Sequence, residues 1–362
     1  MTDSVEPFRI HLPDEVLDDL RARLRQTRWP DQVPNIGWKQ GTELEWLQRL
    51  VSYWAHDFDW RAWEQKLNAL DHFTWKGIHF LHHRPASGHG LPLILTHGWP
   101  SSFLDYLDLL PLLKDVDVVI PSLPGYAFSS RPPQVGVNYR HVAALWHQLM
   151  TELGYSRYAA GGNDFGSGVT TLLALDHPES LIGIHLTTLE SDLTPIVDDA
   201  ALSDAERSYL AVSRTWDATE RGYSALQSTK PQTIGYALND SPAGLAAYLG
   251  EKWHSWSDVA PSDDFLCATL TLYWATQTIA SSMRDYWDNR WYPVDRAYVC
   301  TPTAFAVFAH QTVPEGEPPR SYLERVYNIR RWTVFPGGGH FAPVEQPAAV
   351  AQDLAAFFRD FA

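Results

Sequence analysis

The stretch GGNDFGSG, residues 161–168, lies between a short apolar segment, RYAAGG (157–162), and a run of small residues that begins near residue 166. A Gly-x-nucleophile-x-Gly turn between a strand and a helix strains its central residue and projects that side chain above the sheet. The flanking glycines are needed because a Cβ atom would clash in so tight a turn. Asp164 occupies the central position. The stretch therefore predicts a strand–turn–helix unit with a reactive carboxylate, although an aspartate that only caps the following helix fits the same local pattern.

Apolar segments on both sides of this turn predict the rest of the sheet. They alternate with helical patterns at 139–153 and 348–360, an order typical of a mostly parallel sheet with helices on both faces, the α/β class. A hairpin-like strand pair, HFTWKGIHFLHHR, precedes them from residue 72. The apolar segments are LPLILTHG (91–98), KDVDVVIPSLPG (114–125), LIGIHLTT (181–188), RAYVCTPTAFAVF (296–308) and RRWTVFPGG (330–338).

Two helical regions interrupt this alternation. Residues 1–70 contain helical patterns at 14–25 and 42–56, and we interpret them as an N-terminal helical arm. Residues 196–295 are polar, rich in tryptophan and helical in pattern, as expected of a lid inserted late in an α/β core. The sequence thus predicts an arm (1–70), a core in two parts (71–195 and 296–362) and a helical lid (196–295).

Composition excludes several classes of partner. The net charge of −15 argues against nucleic acid and anionic membranes, since acidic surfaces are repelled by both. The first residues have neither the charge pattern nor the apolar core of a signal peptide or an anchor. Cys267 and Cys300 match no metal spacing, so a reducing cytoplasm is the expected location. A homo-oligomer is compatible with the sequence.

The segment LILTHGWP (93–100) predicts the electrostatic partner of the turn. In folds that carry such a turn, the loop after this strand supplies one backbone N–H of an oxyanion hole, and the residue after the nucleophile supplies the other. In this chain those two donors are the amides of Trp99 and Phe165. An ordinary strand-to-loop turn would read in the same way.

The glycine-rich segment PGGGHFAPVEQP (336–347) predicts the general base. Its histidine, His340, follows a strand near the end of the chain. The nucleophile precedes the histidine in this type of fold, and Asp164 precedes His340. An isolated histidine is usually structural, but here three segments agree in order.

At these motifs the chain resembles the microsomal and juvenile-hormone epoxide hydrolase family, and the resemblance runs nearly end to end. The resemblance implies an α/β-hydrolase fold, hydrolysis of epoxides and no cofactor or metal. It also implies that two lid tyrosines, Tyr223 and Tyr286, donate hydrogen bonds to the epoxide oxygen. The segments that carry it are PFRIHLPDEVLDDLRARL, TRWPD and FDWRAWEQKLNAL in the arm, then HGWPSS, GGNDFGSG, GYSALQSTKPQTIGYALNDSPAGLAAYLGEK and GGGHFAPVEQP.

One position departs from the family pattern. The acid that orients the histidine is expected in a stretch like Phe-Pro-x-Glu, but the corresponding residue here is Gln311. Glu315 lies in the same loop, which is about three residues longer than usual, and counting back from PPRSYLERVYN places it near the family's acid. Glu190, after LIGIHLTT, is the alternative, because related dehalogenases keep their acid there. We expect Glu315 to take the role.

Together these residues predict a two-step reaction. Asp164 attacks an epoxide carbon to form an ester, and His340 activates the water that hydrolyses it to a vicinal diol. The tryptophan-rich lid indicates a large or aromatic epoxide. A haloalkane dehalogenase would share the aspartate and the histidine, but it commonly carries tryptophan where this chain has Phe165. A non-catalytic hydrolase-fold binding protein is the other alternative, favoured only by Gln311.

Overall fold

The structure is a computed structural model that describes residues 4–85, 88, 90–190, 193, 197–295, 297–311 and 317–359. Within these residues, no helix is long and apolar enough to cross a membrane.

Nine strands of the described chain form one sheet. The central strands are buried along nearly their whole length, as expected when helices cover both faces. The strands are β1 (Glu6–Phe8), β2 (His72–Trp75), β3 (Ile78–His83), β4 (Leu91–Thr96), β5 (Val116–Pro121), β6 (Tyr158–Gly162), β7 (Leu181–Leu186), β8 (Val299–Phe308) and β9 (Tyr327–Phe335).

The order of strands across the sheet is β1-β2-β3-β5-β4-β6-β7-β8-β9. β1, β2, β3 and β5 pair antiparallel with their neighbours in that order. From β5 onward each strand pairs parallel with the next. The expected mostly parallel α/β-hydrolase sheet is therefore confirmed, with an antiparallel edge made by the predicted hairpin and by β1, a three-residue strand too short to be recognised from its sequence.

The helices lie in four consecutive regions of the chain. The N-terminal arm contributes α1 (Asp14–Arg25), α2 (Leu44–His56) and α3 (Trp60–Leu67). The core contributes α4 (Tyr139–Glu152) and α5 (Phe165–Asp176). The inserted region contributes α6 (Asp204–Glu220), α7 (Gly222–Gln227), α8 (Pro231–Asp240), α9 (Pro242–Trp256), α10 (Asp263–Ala275), α11 (Ile279–Ser282) and α12 (Arg284–Trp291). The C-terminal part adds α13 (Arg320–Leu323), α14 (Ala342–Glu345) and α15 (Pro347–Arg359).

The arm packs against the lid. The indole nitrogen of Trp54, on α2, donates to Thr271 Oγ1 at 2.8 Å, and that of Trp63, on α3, donates to Asp264 Oδ2 at 2.8 Å. Both acceptors lie on α10. Tryptophans of the arm therefore attach it to α10.

The carboxyl ends of the parallel strands determine where a site can form. The loop of residues 97–102 follows β4, the Asp164 turn follows β6, and Glu190 lies shortly after β7. His340 follows β9. Since the carboxyl ends of parallel strands open on one edge of the sheet, these segments converge beneath the lid.

Candidate active site

Asp164 lies in the turn between β6 and α5 with a φ of 53°. A positive φ is uncommon for a residue with a side chain and costs energy, so the surrounding contacts have to hold it. Gly98 approaches from the loop after β4, and a Cβ atom on it would lie 2.1 Å from Asp164 Oδ1. Only glycine at position 98 lets the loop pass this close to the carboxylate.

Two backbone amides hold one oxygen of the Asp164 carboxylate. Oδ1 accepts hydrogen bonds from the amides of Trp99 at 2.8 Å and Phe165 at 2.7 Å. These are the two donors expected from the sequence. The backbone N–H of Asp164 donates to Thr188 Oγ1 at 2.6 Å. Asp164 also precedes the first residue of α5, so it occupies the helix-cap position as well as the strained turn.

His340 lies beside the other carboxylate oxygen. Its Nε2 is 3.3 Å from Asp164 Oδ2, and its side chain is buried. Its backbone N–H donates to the carbonyl of Trp256 at 2.8 Å, and its carbonyl accepts from Asn163 Nδ2 at 3.0 Å. The fold thus brings together the aspartate and the histidine that the sequence identified.

The other ring nitrogen of His340, Nδ1, is the atom to which an orienting acid would hydrogen-bond. His340 Nδ1 has no hydrogen-bond partner among the described residues. Gln311, at the position expected for the acid, donates from Nε2 to the carbonyl of Thr187 at 3.3 Å. Its buried Oε1 has no partner within the same residues. The side-chain amide of Gln311 therefore hydrogen-bonds to the backbone just after β7 and not to the imidazole of His340.

Of the two glutamates considered as acid partners, the structure describes only Glu190. Glu190 accepts a hydrogen bond from the Tyr139 hydroxyl at 2.7 Å and does not hydrogen-bond to His340. Glu315 lies outside the described residues. The identity of the orienting acid remains a prediction.

The two lid tyrosines are neighbours and line the same cavity as Asp164. Tyr223 lies on α7 and Tyr286 on α12, with ring centroids 5.8 Å apart. Trp99 stacks on Tyr223 at 5.6 Å, and Phe165 contacts Tyr286 edge-on at 4.7 Å. Burial raises the pKa of Tyr286 well above its ordinary value, and the Tyr223 phenol and the Asp164 charge raise it further. The Tyr286 phenol therefore remains protonated and able to donate.

A cavity of about 690 Å³ joins these groups. Asp164, His340, Tyr223 and Tyr286 all line it. The described residues contain no group of three or more histidine, cysteine, aspartate or glutamate side chains that could hold a metal ion. The four side chains that line the cavity are of types that can perform nucleophilic and acid–base chemistry.

A carboxylate that sequence reasoning missed joins the lid to the histidine loop. Glu345 Oε2 accepts from the amides of Asp258 at 2.7 Å, Val259 at 2.9 Å and Gly339 at 3.1 Å. Its Oε1 accepts from the amide of Phe341 at 3.1 Å. Burial raises the pKa of Glu345, and these four amides oppose that rise. Glu345 lies inside the GGGHFAPVEQP segment, but its lid partners are too distant in sequence to reveal the role.

Asp105 is a second residue missed by the sequence reasoning. It is buried, and its Oδ1 has no hydrogen-bond partner among the described residues. Burial raises its pKa to about 7, opposed by hydrogen bonds from Ser101 and Ser102. The charges of His340 and Asp164 also act on it, in opposite directions. Its only local signal is its position shortly after HGWPSS.

Comparisons with known protein families agree with this geometry. The family described as epoxide hydrolase N terminus matches residues 5–106. The family described as alpha/beta hydrolase fold matches residues 92–287. Together they cover the arm, the core that carries Asp164 and most of the lid.

Full-length relatives extend the agreement. A protein of Stigmatella aurantiaca, named provisionally as an epoxide hydrolase, is 40% identical over 98% of this chain and 85% of its own length. Epoxide hydrolase 1 of Sus scrofa is 32% identical over 98% of this chain and 88% of its own. The structure of Aspergillus niger epoxide hydrolase superposes with a TM-score of 0.89 at 30% identity, covering 99% of this chain and 97% of that one. Since such matches extend over nearly the whole chain, it belongs to the epoxide hydrolase family and is a hydrolase of the α/β-hydrolase fold.

Proposed function

We propose that the chain converts an epoxide and water to a vicinal diol through a covalent ester on Asp164. The proposal rests on the different contacts that the two oxygens of this carboxylate make. Oδ1 is held by the amides of Trp99 and Phe165, whereas Oδ2 lies 3.3 Å from His340. Oδ2 is therefore the attacking atom, and Oδ1 becomes the carbonyl oxygen of the ester.

In the first step, Oδ2 of Asp164 bonds to one epoxide carbon as the carbon–oxygen bond of the ring breaks. The leaving oxygen takes a proton from a lid tyrosine, Tyr223 or Tyr286, and becomes a hydroxyl group. Both tyrosines line the same cavity as Asp164, and their rings lie 5.8 Å apart, which supports this role. The step leaves a hydroxyalkyl ester and a tyrosinate.

In the second step, His340 Nε2 takes a proton from water, and the resulting hydroxide attacks Cγ of Asp164. Negative charge then develops on Oδ1, where the amides of Trp99 and Phe165 donate to it. The bond from Cγ to Oδ2 breaks, the alkoxide takes the proton from His340, and the diol leaves. Regenerating the carboxylate releases one proton, which balances the proton lent by the tyrosine.

A carboxylate that orients the imidazole would assist the second step. We propose Glu315 for this role because it shares the loop of Gln311. Glu190 is the alternative, although its carboxylate accepts from Tyr139.

We propose an epoxide with a large or aromatic substituent as the substrate. The cavity volume of about 690 Å³ is typical of sites for drug-sized molecules. Aromatic side chains from both the core and the lid line it, namely Tyr139, Phe165, Tyr223, Trp256 and Tyr286. Rates of diol formation from styrene-type, polycyclic and short aliphatic epoxides test this preference, and faster turnover of the short aliphatic compounds contradicts it.

A single turnover in water enriched in heavy oxygen tests the mechanism. With enzyme in excess, the first diol should carry unlabelled oxygen from Asp164 Oδ2, and the label should enter Asp164. Label that appears in the first diol and not in Asp164 contradicts the covalent ester. Parallel incubation with a chlorinated alkane distinguishes the dehalogenase alternative, because it would release chloride.

A further inference from the structure

Lys252 is a buried lysine that contacts the lid tyrosine on α7. It lies on α9 with only 6% of its surface exposed. Its ammonium is 4.5 Å from the centroid of the Tyr223 ring and 5.5 Å from that of Trp256. On its other side it pairs with the carboxylate of Glu251. Lysine is rarely buried without a specific partner, and here the partners include an aromatic ring of the candidate site.

A cation over an aromatic face is attracted by the negative charge density of the ring, most strongly where water is excluded. The same field acts more strongly on a phenol that is losing its proton, because negative charge then develops on the oxygen and spreads into the ring. The ammonium of Lys252 therefore stabilises the tyrosinate of Tyr223 more than the phenol. The consequence is a stronger hydrogen-bond donor at the Tyr223 hydroxyl.

Tyr286 lies in a different electrostatic environment. Burial, the Tyr223 phenol and the charge of Asp164 all raise its pKa. Within the described ranges, no lysine or arginine lies over the ring of Tyr286. The two phenols share one cavity, but of the two rings only that of Tyr223 has a cation over it among the described residues.

We propose that Lys252 is a positioning residue for ring opening, whose ammonium polarises Tyr223 and makes this hydroxyl the principal proton donor to the epoxide oxygen. Tyr286 then orients the epoxide and supports Tyr223 through the contact of their rings. This inference rests on the proposed epoxide hydrolysis, because it concerns the first step of that reaction.

Other charged groups around Tyr223 bear on any pH dependence. Glu251 faces the ammonium from the same helix, and Tyr286 faces the phenol from α12. Asp164 and His340 lie across the cavity on the core side, and the lid adds the Asp217–Arg221 ion pair and Arg290 to the lining. His340 reaches the same cluster through Trp256, whose ring centroid is 5.0 Å from the imidazole. Neither Lys252 nor Glu251 has a place in the proposed chemistry, so their substitution changes the field on Tyr223 without removing a reacting group.

The first experiment measures the two half-reactions in single turnovers with styrene oxide, using Lys252→Met, Lys252→Arg, Tyr223→Phe and the double variant of Lys252→Met with Tyr223→Phe. Methionine keeps much of the lysine stem without the charge, and arginine keeps the charge. Lys252→Met should slow ester formation about tenfold and leave ester hydrolysis unchanged, whereas Lys252→Arg should retain most of the rate. In the Tyr223→Phe background, Lys252→Met should have no further effect, because the hydroxyl it acts on is absent.

The second experiment follows the rate of ester formation with pH. Loss of the ammonium should move the alkaline decline of this rate to higher pH in Lys252→Met. Glu251→Gln keeps the ammonium and removes its counter-charge, so the decline should move to lower pH, and this variant tests the same field if Lys252→Met does not fold. A merely structural role would move neither decline, and Tm measurements identify such a role.

The proposal is overturned if the alkaline decline stays in place in the folded variants, or if Lys252→Met slows ester formation equally with and without the Tyr223 hydroxyl. Failure of the proposed function gives a different result. In that case the native protein itself forms no ester and no diol from styrene oxide.

Discussion

The two members of the candidate catalytic pair are held in different ways. Asp164 has hydrogen bonds to its carboxylate from Trp99 and Phe165 and a side-chain acceptor for its own backbone N–H. His340 is fixed through its backbone, by Trp256 and Asn163, while its ring Nδ1 has no partner among the described residues. The first residue is held at its reactive group, and the second mainly at its main chain.

This difference separates the two half-reactions. In the proposed mechanism, attack by Asp164 needs little rearrangement because the carboxylate is already oriented, and preformed geometry accounts for much of the rate of such a step. Activation of water needs an imidazole that accepts a proton, and a charged neighbour on Nδ1 would stabilise the resulting cation. We therefore expect ester hydrolysis to limit turnover, so that ester accumulates in the native protein at saturating substrate.

The largest effect is expected from Asp164→Ala. Without the carboxylate no ester forms, and diol production should fall by about 10⁴-fold or more. Mass spectrometry of the intact protein after mixing with epoxide measures the ester. Asp176→Asn, at the far end of α5, is the matched control and should form ester normally. An epoxide adduct on the alanine variant would mean that the well-held residue is not the nucleophile.

His340→Gln should have the next largest effect, and on the opposite half-reaction. Ester should form at nearly the native rate and then persist, with hydrolysis slowed by about 10²–10⁴-fold, the usual contribution of a general base. Rapid mixing followed by mass spectrometry resolves the two rates. His56→Gln, an exposed histidine at the end of α2, is the control. If the folded glutamine variant releases diol at the native rate, a residue other than His340 activates water, and the contrast drawn between Asp164 and His340 does not explain the two rates.

The orienting acid should have a smaller effect. Glu315→Gln should slow ester hydrolysis by on the order of tenfold, a fraction of the general-base contribution, and leave ester formation intact. Glu190→Gln should change neither rate, because Glu190 bonds to Tyr139 rather than to His340. The reverse pattern would place the acid at the end of β7. Normal hydrolysis in both variants would mean that His340 works without a charged partner.

The smallest effect is expected at Asp105, whose carboxyl group interacts electrostatically with both Asp164 and His340. A carboxyl group has a pKa near 4 in an unfolded chain, and Asp105 has one of about 7 in the fold. Its contribution to stability is therefore complete below about pH 4 and is lost as the pH rises through 7. Asp105→Asn removes the ionised form and should raise the free energy of unfolding by about 1–3 kcal/mol at pH 8. Urea unfolding at pH 5 and pH 8 measures this, and an equal gain at both pH values contradicts it.

The best-held part of the site is also the part that its local sequence reveals. The segments GGNDFGSG and LILTHGWP can be interpreted without the rest of the fold. Strained turns need glycine, and the amides of Trp99 and Phe165 lie next to the glycines in sequence. The strand and helix order around them predicted the sheet for the same reason, because periodicity is a local property. The edge strand β1 and helix α3 are too short to produce such a signal.

The remaining site residues depend on contacts between distant segments. Nothing near Tyr223 or Tyr286 distinguishes them from the other tyrosines, and only the resemblance to a family identified them. Lys252 and Glu345 lie within segments that carried that resemblance, but their roles arise from packing of α9 against α7 and against the histidine loop. A sequence does not specify such neighbours until it is folded.

The hydrogen bonds by which Glu345 joins the lid to the histidine loop have a consequence for engineering. Its carboxylate binds amides at 258 and 259, just beyond the end of α9, and amides at 339 and 341, on either side of the histidine. An exchange of the inserted helices with those of a relative changes one half of this junction and leaves the other. Chimaeras meant to alter selectivity should therefore carry residues 256–259 and 336–347 from the same parent, or the donor helices will displace the loop that carries His340.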